Sequence, residues 1–377
     1  MLLSLVIPTY NERENITQLI FQVTSILEKI TKDFEIIVVD DNSSDYTWQI
    51  AEELAVGNPH LKVLRRCNER GLATAVVDGW KAARGKILGV MDGDLQHPPE
   101  TLQELLNSML ATDADIIVAS RNVTGGGVSE WSFIRRFLSW GATLFTTLLL
   151  PGILHAVRDP MSGYFLIRRS VIESARLKPV GYKILLEVLA RGKYKTVAEV
   201  PYVFRERSEG GSKLGPQQYR EFFIQIQRLA WETGQLKRFL RYCIVGFSGV
   251  FVNEGALKVF TDFGGLFYIY SSFLAVELAI VNNFVLNEFW TFRDMSRHQP
   301  NKINRFKRFV KFNLICSVGA FLNVLVLWVL TDLSGLYYLA SNLFGIGIST
   351  LWNYGFNSNI TWEVPVRHRT SKPLSRK

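Results

Sequence analysis

The rhythm of apolar and polar positions along the 377-residue chain changes once, near residue 238. Before that point, short apolar runs at 2–7, 35–39, 61–64, 87–91 and 116–119 alternate with amphipathic segments such as 15–30, 48–54 and 72–83. Uninterrupted apolar runs bounded by turn residues predict strands covered on both faces. Their alternation with helical patterns predicts a mostly parallel sheet packed between helices. After residue 238 come four long apolar stretches, 239–260, 268–290, 309–330 and 336–356. Each is long enough to cross a hydrocarbon core of about 30 Å, and four in succession predict an all-α membrane-spanning half. Two further amphipathic patterns read as interfacial helices. In 133–150, Arg135, Ser139, Thr143 and Thr146 lie opposite the apolar positions, and a second pattern runs through Phe222, Phe223, Ile226, Leu229 and Ala230. The expected organisation is an α/β domain over 1–215, an amphipathic linker helix over 216–237, a four-helix transmembrane domain over 238–362 and a basic tail over 363–377.

The membrane half repeats. A shift of 70 residues superposes Gly249, Asn253, Thr261, Asp262, Gly265, Tyr268, Asn283, Asn287 and Thr291 on identical residues, with 16 identities in the 55 pairs from Arg238 to Phe292. Each unit holds two spans, so the two units enter the membrane in the same orientation, a parallel duplication. The connection around 293–311 and the tail are rich in Lys and Arg, whereas 261–267 and 331–335 contain none. This asymmetry predicts a multi-pass integral membrane protein with its N-terminal domain, middle connection and tail in the cytoplasm. The net charge of +9 gathers largely beside apolar spans, which favours a bilayer partner over nucleic acid. The apolar run at 2–7 is too short for a signal core. Cys67, Cys243 and Cys316 lack metal-site spacing and are expected as free thiols.

The run at 87–91 leads into Asp92-Gly93-Asp94-Leu95-Gln96-His97-Pro98-Pro99-Glu100. In an open α/β sheet, ligands bind beyond the carboxyl ends of the strands. Two carboxylates there, beside the Gln96 amide oxygen, form a hard-oxygen ligand set for Mg²⁺ or Mn²⁺. Such an ion keeps positions for substrate phosphates, so a nucleotide diphosphate is the expected ligand. His97 reads as part of the helix start and not as a metal ligand. The other strand tips are also polar: Pro8-Thr9-Tyr10-Asn11-Glu12, Asp40-Asp41-Asn42-Ser43 and Ser120-Arg121. There is no Gly-x-Gly-x-x-Gly and no Walker Lys, so neither dinucleotide nor P-loop chemistry is indicated.

Pro8 to Glu12, Val38-Val39-Asp40-Asp41 and Asp92 to Gln96 together resemble an inverting glycosyltransferase of the GT-A (Rossmann-like) fold. Gly125 to Trp131 through Arg135, Ser139 and Gly141-Ala142, with Phe204 to Arg207 and Gly211 to Leu214, resembles the dolichol-phosphate mannose synthases. The membrane half resembles the GtrA-like domain that some members carry. The resemblance implies that Pro8, Tyr10, Glu12, Val39 and Asp41 hold the nucleoside, and that Asp92, Asp94 and Gln96 hold the metal with Gly93 close to the diphosphate. It further implies that Arg121, Arg135 and Ser139 receive the lipid phosphate, and that Arg207 and Lys213 close over donor and acceptor phosphates. Asp94, Arg121, Arg207 and Lys213 are the implied catalytic set. Gly93 departs from the family, which often has Ala there. Asp159 lies in a segment the family places near the acceptor side.

The implied reaction moves mannose from GDP-mannose to a polyprenyl (dolichyl) phosphate with inversion. That acceptor is already an anion and needs no strong base, which fits a chain without a visible Ser-His or Cys-His pair. Transfer from UDP-glucose to undecaprenyl phosphate is the nearest alternative, and a lipid-linked-sugar transporter or scaffold is the alternative from another class. A processive synthase would carry a Gln-x-x-Arg-Trp motif, which the soluble half lacks.

Overall fold

A computed structural model describes residues 1–129, 141–147, 149–151, 157–206, 216–297 and 300–362. Its contacts divide the chain into two units, one built mainly from residues 1–143 and 153–229 and the other from 144–152 and 230–365.

The first unit is a seven-stranded sheet in the order β3-β2-β1-β4-β7-β5-β8. Its strands are β1 (Leu3–Thr9), β2 (Phe34–Asp40), β3 (Leu61–Arg65), β4 (Ile87–Val90), β5 (Ile116–Ser120), β7 (Phe165–Arg168) and β8 (Val197–Pro201). β6 (Gly127–Val128) and β9 (Val203–Phe204) form a separate parallel pair. Every residue of β1 and β2 is buried, as expected of strands covered on both faces. β7 runs antiparallel to both β4 and β5, and every other pairing is parallel. The five strands expected from apolar runs are present. β7 and β8, which the sequence reading did not place, complete the sheet on the side of β4 and β5.

The covering helices are α1 (Arg13–Glu28), α2 (Thr47–Gly57), α3 (Leu72–Ala82), α4 (Thr101–Ala111) and α5 (Ile184–Arg191). α1 turns Ile16, Leu19, Ile20, Val23 and Leu27 into the core, the spacing of one helical face. α3 approaches the sheet closely at Gly79, where a Cβ would lie 2.6 Å from Val6 Cγ1. α6 (Pro216–Glu232) buries Phe222 and Ile226 and leaves Phe223 exposed. The buried Gln225 amide donates to the Lys183 carbonyl at 3.0 Å, and Phe222 meets Tyr182. This face therefore packs on protein.

The second unit contains α7 (Gln235–Lys258), α8 (Tyr268–Leu286), α9 (Lys302–Trp328) and α10 (Tyr338–Phe356). Each ends in a π-helical turn, at Val259–Phe263, Asn287–Thr291, Val329–Leu333 and Asn357–Thr361. The 70-residue repeat is thus a repeat of backbone shape. Gly265 and Gly335 occupy the same left-handed position, φ 66° and 68°, in the two hairpin turns. Gly249 faces Asn283, and Gly319 faces Asn353; a Cβ at either glycine would clash with the amide, so the glycines set the close approach within each hairpin. Phe292 and Trp362, equivalent under the repeat, stack at 4.3 Å with planes 9° apart.

Three of the helices, Gln235–Phe263, Tyr268–Thr291 and Lys302–Leu333, are long and apolar enough to cross a membrane. Only 11, 22 and 6 % of their most apolar windows are buried, so this apolar surface faces outward, where lipid would cover it. The fourth, α10, is less apolar because Asn342, Asn353, Tyr338, Tyr354 and several Gly and Ser interrupt it. Thr146, expected on an exposed polar face, is fully buried, and the Asn359 amide donates to the neighbouring Thr147 carbonyl.

Candidate active site

The tips of β1 and β2 are welded by polar side chains. Pro8 pairs with Val39 and Thr9 with Asp40 in register. Asp40 accepts from Thr9 Oγ1 at 2.9 Å, from the Ser43 amide at 2.8 Å and from Ser43 Oγ at 2.6 Å. Beyond the strand, the Glu12 amide donates to Thr47 Oγ1 and the Glu12 carboxylate accepts from Asn15, so this buried acid is fixed at the start of α1. Asp41 accepts from the Gly71 amide at 2.7 Å and pairs with Arg66 at 3.0 Å. Burial lifts its pKa above the ordinary carboxylate value against the opposing pull of those two groups. Tyr10 is half-exposed, and the Arg70 guanidinium lies 5.1 Å from its ring centre. Arg66 and Arg70 were missed in the sequence. Their signal was the basic run that follows β3 at this edge.

β4 ends at Val90, and Asp92 follows it. The buried His97 Nδ1 accepts from the Asp92 amide at 3.2 Å, and the ring stacks on Tyr164 at 5.1 Å. Burial pushes the His97 pKa down to about 4, so the imidazole is neutral and shapes the turn. Asp94 accepts from the Gln96 amide at 3.1 Å, and Leu95 between them has φ 61°. The Gln96 side-chain nitrogen donates to the Arg205 carbonyl, which leaves Oε1 as the donor atom Gln96 can offer a cation. Gly93 sits against the β1 loop: a Cβ there would lie 3.1 Å from Thr9 Cγ2 and 3.6 Å from Glu12 Cγ. Gly163 lies against Asp92, where a Cβ would be 2.8 Å from Oδ2. Among the described residues, no three His, Cys, Asp or Glu side chains form a closed metal cage. Two carboxylates with an amide oxygen instead suit a hard cation that keeps positions for phosphate and water.

Arg121, at the tip of β5, is held by Asp159. Its Nε and Nη2 donate to the two carboxylate oxygens at 2.7 Å each, and its amide donates to Oδ2 at 3.0 Å. Asp159 is 1 % exposed. Burial alone would raise its pKa, but the guanidinium hydrogen bonds and charge outweigh burial and hold it below the ordinary value. Much of the Arg121 fork is thus committed inside the protein. The sequence reading placed Asp159 only in the acceptor neighbourhood and did not assign it this partner, because a pairing across 38 residues leaves no local pattern. Arg135, Ser139, Arg207 and Lys213 lie outside the described residues. The described chain before residue 207 runs beside the Asp92–Gln96 turn, since the Arg205 amide donates to the Gln96 carbonyl at 2.9 Å.

Pro8, Tyr10, Glu12, Val39, Asp41, Asp92, Gly93, Asp94, Gln96 and Arg121 therefore all fall at the carboxyl ends of β1, β2, β4 and β5. The four non-glycine residues with positive φ among those described are Asn11, Asn42, Tyr46 and Leu95, all at this same edge. Backbone strain concentrated at one edge is a mark of a site.

Residues 4–175 match the glycosyl transferase family 2 model, and residues 241–362 match the GtrA/DPMS transmembrane domain. A dolichol-phosphate mannosyltransferase of Pyrococcus furiosus is 42% identical over 362 residues, covering 96% of this chain and 99% of that protein. A dolichol-phosphate mannosyltransferase of Saccharomyces cerevisiae is 34% identical over 60% of this chain and 86% of its own length. A polyprenol monophosphomannose synthase of Mycolicibacterium smegmatis is 36% identical over 59% of this chain and 84% of its own length. With its strand-tip acids in a family 2 glycosyltransferase domain and its duplicated helical hairpins, the chain belongs to the dolichol-phosphate mannosyltransferase family.

Proposed function

We propose that this protein transfers mannose from GDP-mannose to a polyprenyl phosphate, with inversion at the anomeric carbon and with Mg²⁺ or Mn²⁺ at Asp92, Asp94 and Gln96. The observation that carries the reading is the seating of Asp92-Gly93-Asp94 against the Pro8–Glu12 loop. On this reading the hard-oxygen ligands stand beside the strand tips that carry Tyr10 and Asp41. The relatives' names supply the sugar and the lipid.

The metal, when bound, supplies positive charge that stabilises the leaving diphosphate. Tyr10 offers a ring for the base, and Glu12 and Asp41 offer carboxylate acceptors for nucleoside hydroxyls and amines. The acceptor phosphate is already anionic, so the chain's task is to hold two anions together while one attacks. Arg121, Arg135 and Ser139 take the acceptor phosphate, and Arg207 and Lys213 take the diphosphate side, since planar guanidinium groups bind phosphate oxygens in pairs. Asp159 sets the position of Arg121. The excess of Lys and Arg in 293–311 and in the tail supports a cytoplasmic position for the catalytic domain and the tail.

The direct test is sugar transfer by the purified full chain to polyprenyl phosphate, comparing GDP-mannose with UDP-glucose in Mg²⁺ or Mn²⁺, with Asp94→Ala as control. Metal-dependent mannolipid from GDP-mannose alone is the expected outcome. Transfer from UDP-glucose alone overturns the sugar, and retained anomeric configuration overturns the single displacement.

A further inference from the structure

The membrane half contains a pocket that no step of the proposed transfer uses. It encloses about 100 Å³ and is lined by Asn304, Lys307, Arg308 and Lys311 from α9, and by Met295, Ile360, Thr361 and Trp362. The α9 residues recur at i, i+3, i+4 and i+7, so they share one helical face. That volume is well below the roughly 300 Å³ at which drug-sized cavities begin. It suits a compact ion or head group and excludes a sugar nucleotide.

The pocket is positive for a structural reason. Among the described residues, the acid paired with this face is Glu288, which is buried, and its carboxylate is already saturated. Arg308 donates to it through Nε at 3.0 Å and through Nη2, Trp362 Nε1 donates at 2.8 Å, and Arg305 approaches at 3.4 Å. Glu288 therefore locks Arg308 and Trp362 in place and has no hydrogen-bonding capacity left for the lysines. Among the described residues, Lys311 meets only the Ile360 carbonyl, at 3.1 Å. Lys307 is exposed and has no acidic partner among the described residues.

The duplication supplies a second, independent observation. The equivalent positions in the first hairpin are Lys237, Arg238 and Arg241. There Arg238 is paired with Asp294 at 2.6 Å, and Arg241 lies over the Trp290 ring. Seventy residues on, Asp294 is replaced by Val364, Trp290 by Ile360 and Gly234 by Asn304. Positions 364 and 360 thus lack the acid and the indole that meet Arg238 and Arg241 in the first hairpin, Glu288 pairs with Arg308 instead, and a polar amide is added at 304. Moreover, Leu314 continues the face of Lys307 two turns further along α9 and is exposed, as are Phe306 and Val310 beside it. A charged head at the pocket would be followed by an apolar path along the span.

We propose that the Asn304, Lys307, Arg308 and Lys311 pocket binds the phosphate head group of an anionic lipid, with the acyl chain lying along α9. Basic pockets between membrane helices near the bilayer surface have this chemistry. The same phosphate chemistry can come from a phospholipid, a polyprenyl phosphate or inorganic phosphate, so the test separates them.

The full chain is reconstituted in vesicles of phosphatidylcholine with or without phosphatidylglycerol, and the lipids retained after mild delipidation are counted by native mass spectrometry. Phosphatidylglycerol is expected to be retained at least tenfold over phosphatidylcholine. Lys307→Gln and Lys311→Gln should each lower that preference about fivefold, the value of one cation near a charged surface. Lys307→Arg should preserve it, and Lys237→Gln with Arg241→Gln in the first hairpin should leave it intact. An unchanged melting temperature establishes that the variants are folded. Displacement of phosphatidylglycerol by equimolar polyprenyl phosphate supports the head-group assignment. Displacement by millimolar inorganic phosphate, equal retention of both phospholipids, or full retention by the double lysine variant overturns it.

Discussion

The two edges of the sheet bury the same kinds of residue to different ends. At the amino edge, Glu35 of β2 accepts from Ser4 Oγ at 2.6 Å, from Lys62 Nζ at 2.6 Å and from the Arg84 amide at 2.7 Å. Ser4 in turn accepts from the Gly85 amide. The carboxylate is 1 % exposed, its lone pairs are taken by the protein, and no neighbouring backbone is strained. At the carboxyl edge, Asp92 and Asp94 flank a glycine and are followed by a left-handed Leu95, and Gly163 makes room for the Asp92 carboxylate. Burial of charge is common to both edges. What separates them is the backbone around the charge, relaxed beside Glu35 and built of glycines and a left-handed residue beside Asp92 and Asp94. Arg121–Asp159 is a closed pair placed at the open edge, which gives it both a structural and a positioning role.

The largest effect should come from breaking that mixed case. Asp159→Ala leaves the Arg121 guanidinium buried without its counter-charge, at a cost of about 3–5 kcal/mol. The melting temperature of the full chain in detergent reads this loss. Replacing both members, Arg121→Met with Asp159→Leu, should recover most of the stability and none of the transfer activity. Recovery of activity as well would show that the pair has no part in the site.

Asp94→Ala separates the edges in the other direction. It removes a tip carboxylate and should lower kcat by about 10³-fold, near 4 kcal/mol on the barrier, with the melting temperature held within 2–3 °C. Extra Mg²⁺ or Mn²⁺ should restore only part of the rate, measured as mannolipid formed per minute.

Glu35 supplies the opposite signature. Burial alone would raise its pKa, yet the Lys62, Ser4 and Arg84 hydrogen bonds and the Lys62 charge hold it at about 2 against an ordinary 4.5. A depressed carboxylate stabilises the fold fully above the unfolded value and loses that contribution as pH falls from 4.5 towards 2. The difference in pKa corresponds to about 3 kcal/mol. Glu35→Gln should therefore lower stability by that order at pH 7 and progressively less below pH 4.5, while kcat at pH 7 stays within twofold. Denaturant unfolding across that pH range checks the first part, and the transfer assay checks the second.

What could be read in advance follows the same division between local and distant causes. The five strands, the acidic tip after β4 and the 70-residue duplication are written as local periodicity or as self-similarity, and each is present in the structure, although β3, expected to be buried, is an edge strand in which only Leu61 is buried. β7 was not legible, because four residues of ordinary composition cannot announce that they run antiparallel between two strands from elsewhere in the chain. Asp159 and Arg66 were not legible as partners of Arg121 and Asp41, because ion pairs across 38 and 25 residues depend on the sheet order. Glu288 could be singled out as polar within a span, but its closure by Arg308 and Trp362 across the two repeats required the packed hairpins. Thr146 failed for a related reason: a helical pattern assigns a face, and a neighbouring chain segment can still cover that face.

The finest test sets two glycines of the carboxyl edge against each other. At Gly163, an added methyl would stand 2.8 Å from Asp92 Oδ2 and 3.2 Å from Oδ1, so the carboxylate itself must move. At Gly93, it would meet Thr9 Cγ2 at 3.1 Å and the Pro8 carbonyl at 3.4 Å, contacts that a shift of a few tenths of an ångström relieves. Neither glycine has a left-handed φ, so backbone strain does not confuse the comparison. Gly163→Ala should therefore reduce kcat by about 10- to 100-fold, the scale expected when a reacting group is displaced by up to 1 Å. Gly93→Ala should cost less than about 1 kcal/mol in stability and less than threefold in rate, since overpacking by one methyl at a yielding contact is mild. If the two variants lose activity equally, the space that matters is the diphosphate's own, above Gly93, and the role of Gly163 in seating Asp92 falls. If only Gly163→Ala fails, the position of the carboxylate is what this edge of the sheet is built to protect.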